Sequence, residues 1–294
     1  MAYTTINKSS DHFKALYYSG TGAENAITAD HASNFVWLKQ ANGTDHHTLY
    51  DSTRGATNYI LSNLANAEAT NAQSLKSFDN NGFTLGTDGA VNSSSYTYIG
   101  QSWKANGQGS ANSDGSTTTT YTSANTTSGF SIIKYGGTGS TATIGHGLGA
   151  TPKVLWLKQL DGTENWRVWH VKAPNYSTKT LSLNQDLAEF NQSNWVGTVN
   201  NSTIELGSDG SVNLNAKNYI CYAFAEKTGF SKFSIYDGNG EAGNGTFIYT
   251  GFKPAFIMIK RTDSTGNWNM YNMTLNKTNK SQFFHHDANT NTQW

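Results

Sequence analysis

The side chains that could perform chemistry in this sequence are few and scattered. The histidines include two adjacent pairs, His46-His47 and His285-His286. Neighbouring side chains on a strand point to opposite faces, so neither pair is expected to hold a metal ion. No paired carboxylates, nucleophilic serine turn or cysteine–histidine pairing stands out, and the single cysteine, Cys221, excludes an internal disulfide framework. We therefore predict no catalytic residue, no metal site and no cofactor.

Two glycine-containing patterns resemble ligand-binding loops but lack their essential parts. Asp88-Gly89 and Asp209-Gly210 superficially suggest calcium, yet they lack the further oxygen ligands and the terminal glutamate of an EF-hand loop. Asp-Gly is foremost a turn sequence that tolerates positive φ, so we predict β-turns there. The glycine-rich segment 136–149 has no lysine followed by serine or threonine and precedes no expected helix. It is therefore not predicted to bind phosphate.

Aromatic and amide side chains offer a different chemistry, which suits sugars. Amides and hydroxyls match arrays of sugar hydroxyls, and aromatic faces can pack on the apolar side of a pyranose ring. The candidate glycan-binding residues are Trp166, Tyr176, Trp268 and Tyr271. Trp166 and Trp268 adjoin a hairpin turn and are expected to be exposed, whereas Trp169 should point inward or into an interface. The alternative for the same aromatics is packing between domains or subunits.

The overall composition excludes several classes of partner. The chain has 294 residues, with 20 basic and 20 acidic side chains, so its formal net charge is zero. Without a broad positive field, neither nucleic acid nor an anionic membrane is an expected partner. Aromatic residues make up 13%, which predicts a folded chain and not a disordered one. Neither a signal peptide nor a membrane-spanning helix is visible, so we expect a soluble protein.

One type of segment occurs three times along the chain. Three segments align without gaps, namely FVWLKQANGTDHHTLYD from Phe35, VLWLKQLDGTENWRVWH from Val154 and FIMIKRTDSTGNWNMYN from Phe256. Their spacing of about 100 to 120 residues is too long for a solenoid and is typical of an array of independent domains. We divide the chain into copy one (1–104), a flexible glycine-, serine- and asparagine-rich connector (105–114), copy two (115–228) and copy three (229–294).

The copies are predicted to be all-β. Period-two alternation with β-branched and aromatic residues, separated by turn sequences, favours tandem antiparallel β-sandwich domains of a jelly-roll-like kind. Only residues 61–75 have an apolar spacing compatible with a helix. Copy three is predicted to be incomplete, because Trp294 corresponds to Trp195 and the segment equivalent to YICYAFAE is absent. Either the chain is a fragment, or another chain completes this copy.

Two runs carry a resemblance to a known family. These are GHGLG-x-x-PK at Gly145–Lys153 and TGFKPAF at Thr250–Phe256, the most specific parts of a resemblance that covers nearly all the chain. They resemble repeated units of tail-fibre-like and other virion structural proteins of marine bacteriophages, especially phages of cyanobacteria. Copy one departs from the pattern, with ADHASNFVW where copy two has GHGLGATPKVLW.

The resemblance implies a structural or adhesive role and brings no catalytic residues. On that basis we expect a non-catalytic virion protein, synthesised in the host cytoplasm, whose partners are copies of itself and other virion proteins. A tail or surface fibre that attaches to the host surface is the first expectation. A capsid decoration or head-fibre protein and an extracellular carbohydrate-binding adhesin module are the alternatives, with a surface glycan as a possible ligand.

Overall fold

The fold is described from a computed structural model that covers residues 4–173, 176–272 and 284–290. Within those ranges the regular structure is strands, apart from a 3-10 turn at Ser9–Asp11 and two helices of four residues. The prediction of an all-β fold is confirmed. Among the helices of the described ranges, neither is long and apolar enough to cross a membrane.

Copy one consists of two antiparallel sheets. Its elements are β1 Phe13–Ser19, β2 Asn25–Thr28, β3 Phe35–Gln40, β4 Thr48–Asp51, β5 Asn58–Leu61, β6 Ala69–Thr70, β7 Leu75–Asp79, β8 Gly82–Leu85, α1 Gly89–Asn92 and β9 Thr97–Trp103. A six-stranded sheet has the order β1-β9-β3-β4-β5-β6, and a three-stranded sheet has the order β2-β8-β7. Side chains from both sheets, including Val36, Leu38 and Phe83, form one buried cluster. Copy one is therefore sandwich-like.

Copy two repeats this arrangement. Its elements are β10 Tyr121–Asn125, β11 Phe130–Gly136, β12 Ala142–Gly145, β13 Val154–Gln159, β14 Arg167–His170, β15 Lys179–Thr180, β16 Phe190–Asn191, β17 Val196–Val199, β18 Thr203–Leu206, α2 Gly210–Asn213 and β19 Asn218–Phe224. The five-stranded sheet β10-β11-β19-β13-β14 packs against the three-stranded sheet β12-β18-β17. The chemically similar segments of the two copies thus occupy the same places in the fold.

Copy three contributes a single small sheet in the described ranges. Its strands are β20 Phe256–Ile259, β21 Asn269–Asn272 and β22 Phe284–Asp287, in the order β20-β21-β22. The first two of these strands correspond by sequence to β3 and β4 of copy one. The position of Trp294 lies outside the described residues.

The repeated Asp-Gly turns form one turn of helix each. Asp88 caps α1 by accepting a hydrogen bond from the backbone N–H of Ala90 at 3.1 Å, and Asp209 caps α2 through Ser211 at 2.9 Å. The following asparagine, Asn92 in copy one, is buried and donates to the carbonyl of Gly86. The aspartate acts as a helix N-cap, so the predicted β-turn continues into a short helix.

The apolar run of β3 is buried on both faces because it lies between two cores. Val36 and Leu38 point into the sandwich of copy one, whereas Phe35 and Trp37 point the other way. The second face belongs to a cluster that we call the shared core, since all three copies contribute to it. Its large members include Trp37, Trp103, Phe130, Trp156, Trp166, Tyr222, Trp268 and Met270. The copies therefore do not form an array of independent domains, contrary to expectation.

Hydrogen bonds also join the three copies to one another. The indole N–H of Trp166 in copy two donates to the carbonyl of Leu61 in copy one at 2.8 Å. The indole N–H of Trp268 in copy three donates to the carbonyl of Ser182 in copy two at 2.7 Å. The hydroxyl of Ser62 in copy one donates to the carbonyl of Ala288 in copy three at 3.3 Å. Each copy thus contacts both others, and the three close into a ring.

Two further expectations differ from the structure. The connector 105–114 packs along β10, where Ser110 pairs with Thr122 and the backbone N–H of Asn106 donates to Ser123 at 2.8 Å. It is a packed segment and not a free connector. Residues 61–75, whose apolar spacing is compatible with a helix or helical turn, form no helix; the segment consists of turns, irregular chain and the short strand β6. Contacts with copy two, such as Glu68 N–H to the Leu160 carbonyl at 2.7 Å, override its helical spacing.

Candidate functional site

The candidate functional site is a surface cavity of about 370 Å³ on copy two. Its lining residues are Trp169, Val171, Tyr176 and Ser177 on one side, and Gly197, Thr198, Val199 and Glu205 on the other. The first group lies on β14 and the segment after it, and the second group lies on the β17–β18 hairpin. The cavity therefore lies where the two sheets of copy two meet at their rim.

One side of the cavity is aromatic. Trp169 is 2% exposed and anchored in the core of copy two, while Tyr176 is 40% exposed. Their rings meet edge to face, with centroids 5.4 Å apart and planes at 81°. The indole nitrogen of Trp169 is buried with no hydrogen-bond partner among the described residues. An exposed ring held by a buried one gives this side a fixed apolar surface.

The other side of the cavity is polar, and a β-bulge shapes it. The pairing of β17 with β18 shifts between Val196 and Val199. At this shift the backbone N–H of Thr198 donates to a carboxylate oxygen of Glu205 at 3.0 Å. A Cβ atom at Gly197 would come within 2.7 Å of the Glu205 side chain, so glycine leaves room for the carboxylate. The bulge thus fixes Glu205 at the cavity wall.

This combination suits recognition of a small polar ligand with one apolar face. Tyr176 offers the ring, while Glu205, Ser177 and Thr198 offer hydrogen-bonding groups. Glu205 is the one carboxylate among the residues known to line the cavity.

The predicted glycan-binding residues are distributed differently from expectation. Trp166 and Trp268 were expected to be exposed, and this is wrong: they are 0% and 6% exposed. Both lie in the shared core, where their indole nitrogens bind carbonyls of the neighbouring copy. Their ring faces are thus covered by protein. They instead follow the alternative interpretation, packing between domains.

The remaining two candidates, Tyr176 and Tyr271, lie on different copies. Tyr176 lines the cavity. Tyr271 is half-buried on β21 of copy three, and it corresponds by alignment to Trp169 and to the buried Tyr50. The structure therefore keeps Tyr176 as a ligand-contacting candidate and places Tyr271 at a position that packs inward in the other copies.

Sequence reasoning missed the polar half of the cavity. Glu205 stands where copy one has Thr84, in otherwise similar turn segments. A charged residue that appears in one copy only was a usable signal. Ser177 and Thr198 carried no such signal, because serine and threonine are abundant throughout the chain. Their relevance depends on the bulge, which the sequence did not indicate.

Of the histidines whose side chains the structure describes, His31, His47 and His146 are buried. His47 is buried and accepts a hydrogen bond from the indole N–H of Trp37 at 2.9 Å. Burial lowers the pKa of His146 and His170 below the ordinary value for histidine. Among the residues that the structure describes, no group of three metal-binding side chains occurs.

The fold and the cavity together define a class, an all-β protein of three repeats with a ligand-sized cavity on the second. The chain belongs to a family described as a domain of unknown function, DUF7483, whose model matches residues 8–293. That match spans all three copies, so the family unit is the whole ring and not one repeat. Neither a curated protein nor a solved structure matches the chain.

Proposed function

We propose that this chain is a non-catalytic structural protein of a bacteriophage virion, most simply a tail-fibre or surface-fibre component that presents β modules to the host surface. The observation that carries the proposal is the shared core. Three repeats bury their largest aromatic side chains against one another, which favours a rigid scaffold. The resemblance of Gly145–Lys153 and Thr250–Phe256 to units of phage virion proteins supports the same role.

Rigidity matters for this role because an attachment protein must hold its binding surfaces in a defined position. Trp37 and Trp156 meet edge to face with centroids 5.6 Å apart, and the ring centroids of Phe35 and Tyr222 are 4.5 Å apart. These contacts join copies one and two through rings that have few rotamers to lose. A body held in this way presents its outer surfaces in fixed relation to each other. Such a body is suited to a particle that assembles with copies of itself and with other virion proteins.

The proposal is tested on purified particles of the phage that encodes the chain. We expect mass spectrometry to find the chain in gradient-purified virions, and antibody-bound gold to label fibres in electron micrographs. Labelling over the head would favour the capsid-decoration or head-fibre alternative. A chain that is abundant in the infected-cell lysate and absent from purified particles contradicts the proposal.

A carbohydrate-binding adhesin module is the second candidate, and the cavity of copy two favours it. Tyr176 presents a ring at a cavity whose opposite wall carries Glu205 and Thr198. A cavity of about 370 Å³ accommodates one or two sugar units by the usual size of ligand pockets. This activity is compatible with the virion role, because host attachment through surface glycans requires such a site.

We expect the full chain to bind a subset of an array of bacterial surface glycans, and Tyr176→Ala to weaken that binding about five- to tenfold, since one aromatic contact contributes on the order of 1 kcal/mol. Titration calorimetry with the best-binding array oligosaccharide measures the change. Tyr96→Ala is the matched control, because Tyr96 is 37% exposed and lies on copy one, away from the cavity. Equal binding by both variants, or no binding by the unmodified chain, would remove this candidate.

A further inference from the structure

Among the described residues that line the cavity of copy two, Glu205 alone carries a charge. Elsewhere in the chain, half-buried carboxylates lie beside a cation: Glu189 accepts from Lys179 at 2.8 Å, and Glu68 accepts from Arg54 at 3.0 Å. Glu205, which is also half-buried, takes part in none of the ion pairs that the described residues form. A charge that is partly withdrawn from water is stabilised by an opposite charge, which a ligand in this cavity can supply.

The hydrogen bonds of Glu205 leave one carboxylate oxygen available. Its Oε2 accepts from the backbone N–H of Thr198 at 3.0 Å, whereas no described residue donates to its Oε1. A Cβ atom at Gly197 would lie 2.9 Å from each of these oxygens, so the absence of a side chain there leaves room for both. An ammonium group is a strong donor to a carboxylate oxygen that is held in this way.

The aromatic side of the cavity suits the same kind of ligand. Tyr176 is partly exposed, and its ring is held edge to face by the buried ring of Trp169. An aromatic face attracts a cation through its π-electrons and also packs against the apolar face of a pyranose. An anionic ligand would instead bring a like charge to Glu205. The two sides together favour a ring that has an apolar face and a positively charged substituent.

We propose that the cavity of copy two selects a hexosamine whose amino group is unsubstituted and positively charged, an inference that rests on the sugar-binding candidate of the proposed function. The ammonium group donates to Oε1 of Glu205, and the apolar face of the pyranose packs on the ring of Tyr176. An acetyl group on the nitrogen removes the positive charge, and a hydroxyl in place of the amine never carries one. Both kinds of sugar therefore lack the charge-assisted hydrogen bond.

Three disaccharides with the same rings and the same linkage provide the test. Cellobiose has a hydroxyl beside the anomeric carbon, diacetylchitobiose has an acetamido group there, and the fully deacetylated form of diacetylchitobiose has a free amine. Ligand-observed NMR titration of the full chain, at a mildly acidic pH at which the amines are protonated, measures the Kd of each. We expect the deacetylated disaccharide to bind at least about tenfold more tightly than the other two, since one hydrogen bond becomes charge-assisted on both sides.

Two substitutions separate the charge from the ring. Glu205→Gln keeps an oxygen that accepts from the Thr198 N–H but removes the charge, so the three disaccharides should bind nearly equally. Glu164→Gln is the matched control, because Glu164 is exposed in the β13–β14 turn, does not line the cavity, and changes the net charge by the same amount. This control should keep the full preference. Tyr176→Ala should weaken all three disaccharides about five- to tenfold and leave the preference among them intact.

Three results would overturn the inference. The first is a deacetylated disaccharide that binds no better than the other two, or that does not bind. The second is a preference that survives in Glu205→Gln, which would assign it to another group. The third is unchanged affinity for the deacetylated disaccharide in Tyr176→Ala, which would show attraction by charge alone. The glycan array decides independently whether the chain binds sugars at all, so failure of the amine preference and failure of the sugar-binding candidate are distinguishable.

Discussion

Asp51→Ala lowers the free energy of unfolding by about 3 to 5 kcal/mol, because the substitution removes the buried counter-charge of Arg54 and leaves that guanidinium only the partly exposed Glu68, 3.0 Å away. The side chains of Asp51 and Arg54 form an ion pair and both are 0% exposed. Tyr222 of copy two donates its hydroxyl to the same carboxylate at 2.7 Å. The network therefore joins copies one and two, and its loss should weaken both. Urea unfolding monitored by tryptophan fluorescence measures the change.

The same substitution has a defined pH dependence. Burial alone would raise the pKa of the Asp51 carboxyl, but Arg54 and the hydrogen bonds from Thr53 and Tyr222 outweigh it and hold that pKa below its ordinary value. A depressed folded-state pKa means that the contribution is present above the ordinary pKa of about 3.9 and is lost as the pH falls through the folded value. The difference between the unmodified chain and Asp51→Ala should therefore be full at neutral pH and shrink in strong acid.

Two controls separate the buried network from ordinary surface charge. Asp11 pairs with Lys8 through side chains that are 51% and 64% exposed, so Asp11→Ala should cost less than about 1 kcal/mol. Tyr222→Phe removes one hydrogen bond to a charged acceptor and should cost about 1.5 to 3 kcal/mol. A loss for Asp51→Ala no greater than that for Asp11→Ala would contradict the burial of the ion pair between the copies.

Trp166→Ala is expected to lower the free energy of unfolding by about 3 to 5 kcal/mol, the usual cost of removing a large buried aromatic. Its ring is 0% exposed and stacks on Tyr222 with centroids 6.3 Å apart. Its indole also binds the Leu61 carbonyl of copy one. Amide exchange should consequently accelerate at Asn58–Leu61 of copy one as well as in copy two. Chemical unfolding and exchange measured on one sample provide both values.

The control for Trp166→Ala is Tyr249→Ala, because Tyr249 is 71% exposed and its removal should change stability by less than about 0.5 kcal/mol. If Trp166 were instead an exposed ligand-stacking residue, the two variants would be equally stable. Acceleration confined to copy two would show that the indole does not link the copies.

The strands could be predicted from the sequence because alternation and turn residues are local properties. The repeat then doubled the evidence, since VLWLKQ and FVWLKQ must serve one role. Whether the second face of each sheet is buried could not be predicted in this way. Trp166 and Trp169 alternate correctly, but alternation does not say whether the outer face meets solvent or another copy. The shared core depends on contacts between distant parts of the chain. It buries Trp166, which was expected to be exposed.

One residue of the candidate site, Tyr176, could be predicted from the sequence. Tyr176 was selected for its ring, and it lies at the cavity. Glu205 and Thr198 meet through the shifted pairing of β17 and β18, a geometry without a sequence signature in this chain. The connector 105–114 shows the same limit, because its composition is that of a flexible linker while its hydrogen bonds to β10 fix it.

The most direct test of the central claim, that three repeats share one core and form one body, is scanning calorimetry of the unmodified full chain. A single core predicts one endotherm whose calorimetric enthalpy equals its van't Hoff enthalpy. Two or three separable transitions, each with the enthalpy of one repeat, would show that the copies unfold as independent domains and would contradict the account.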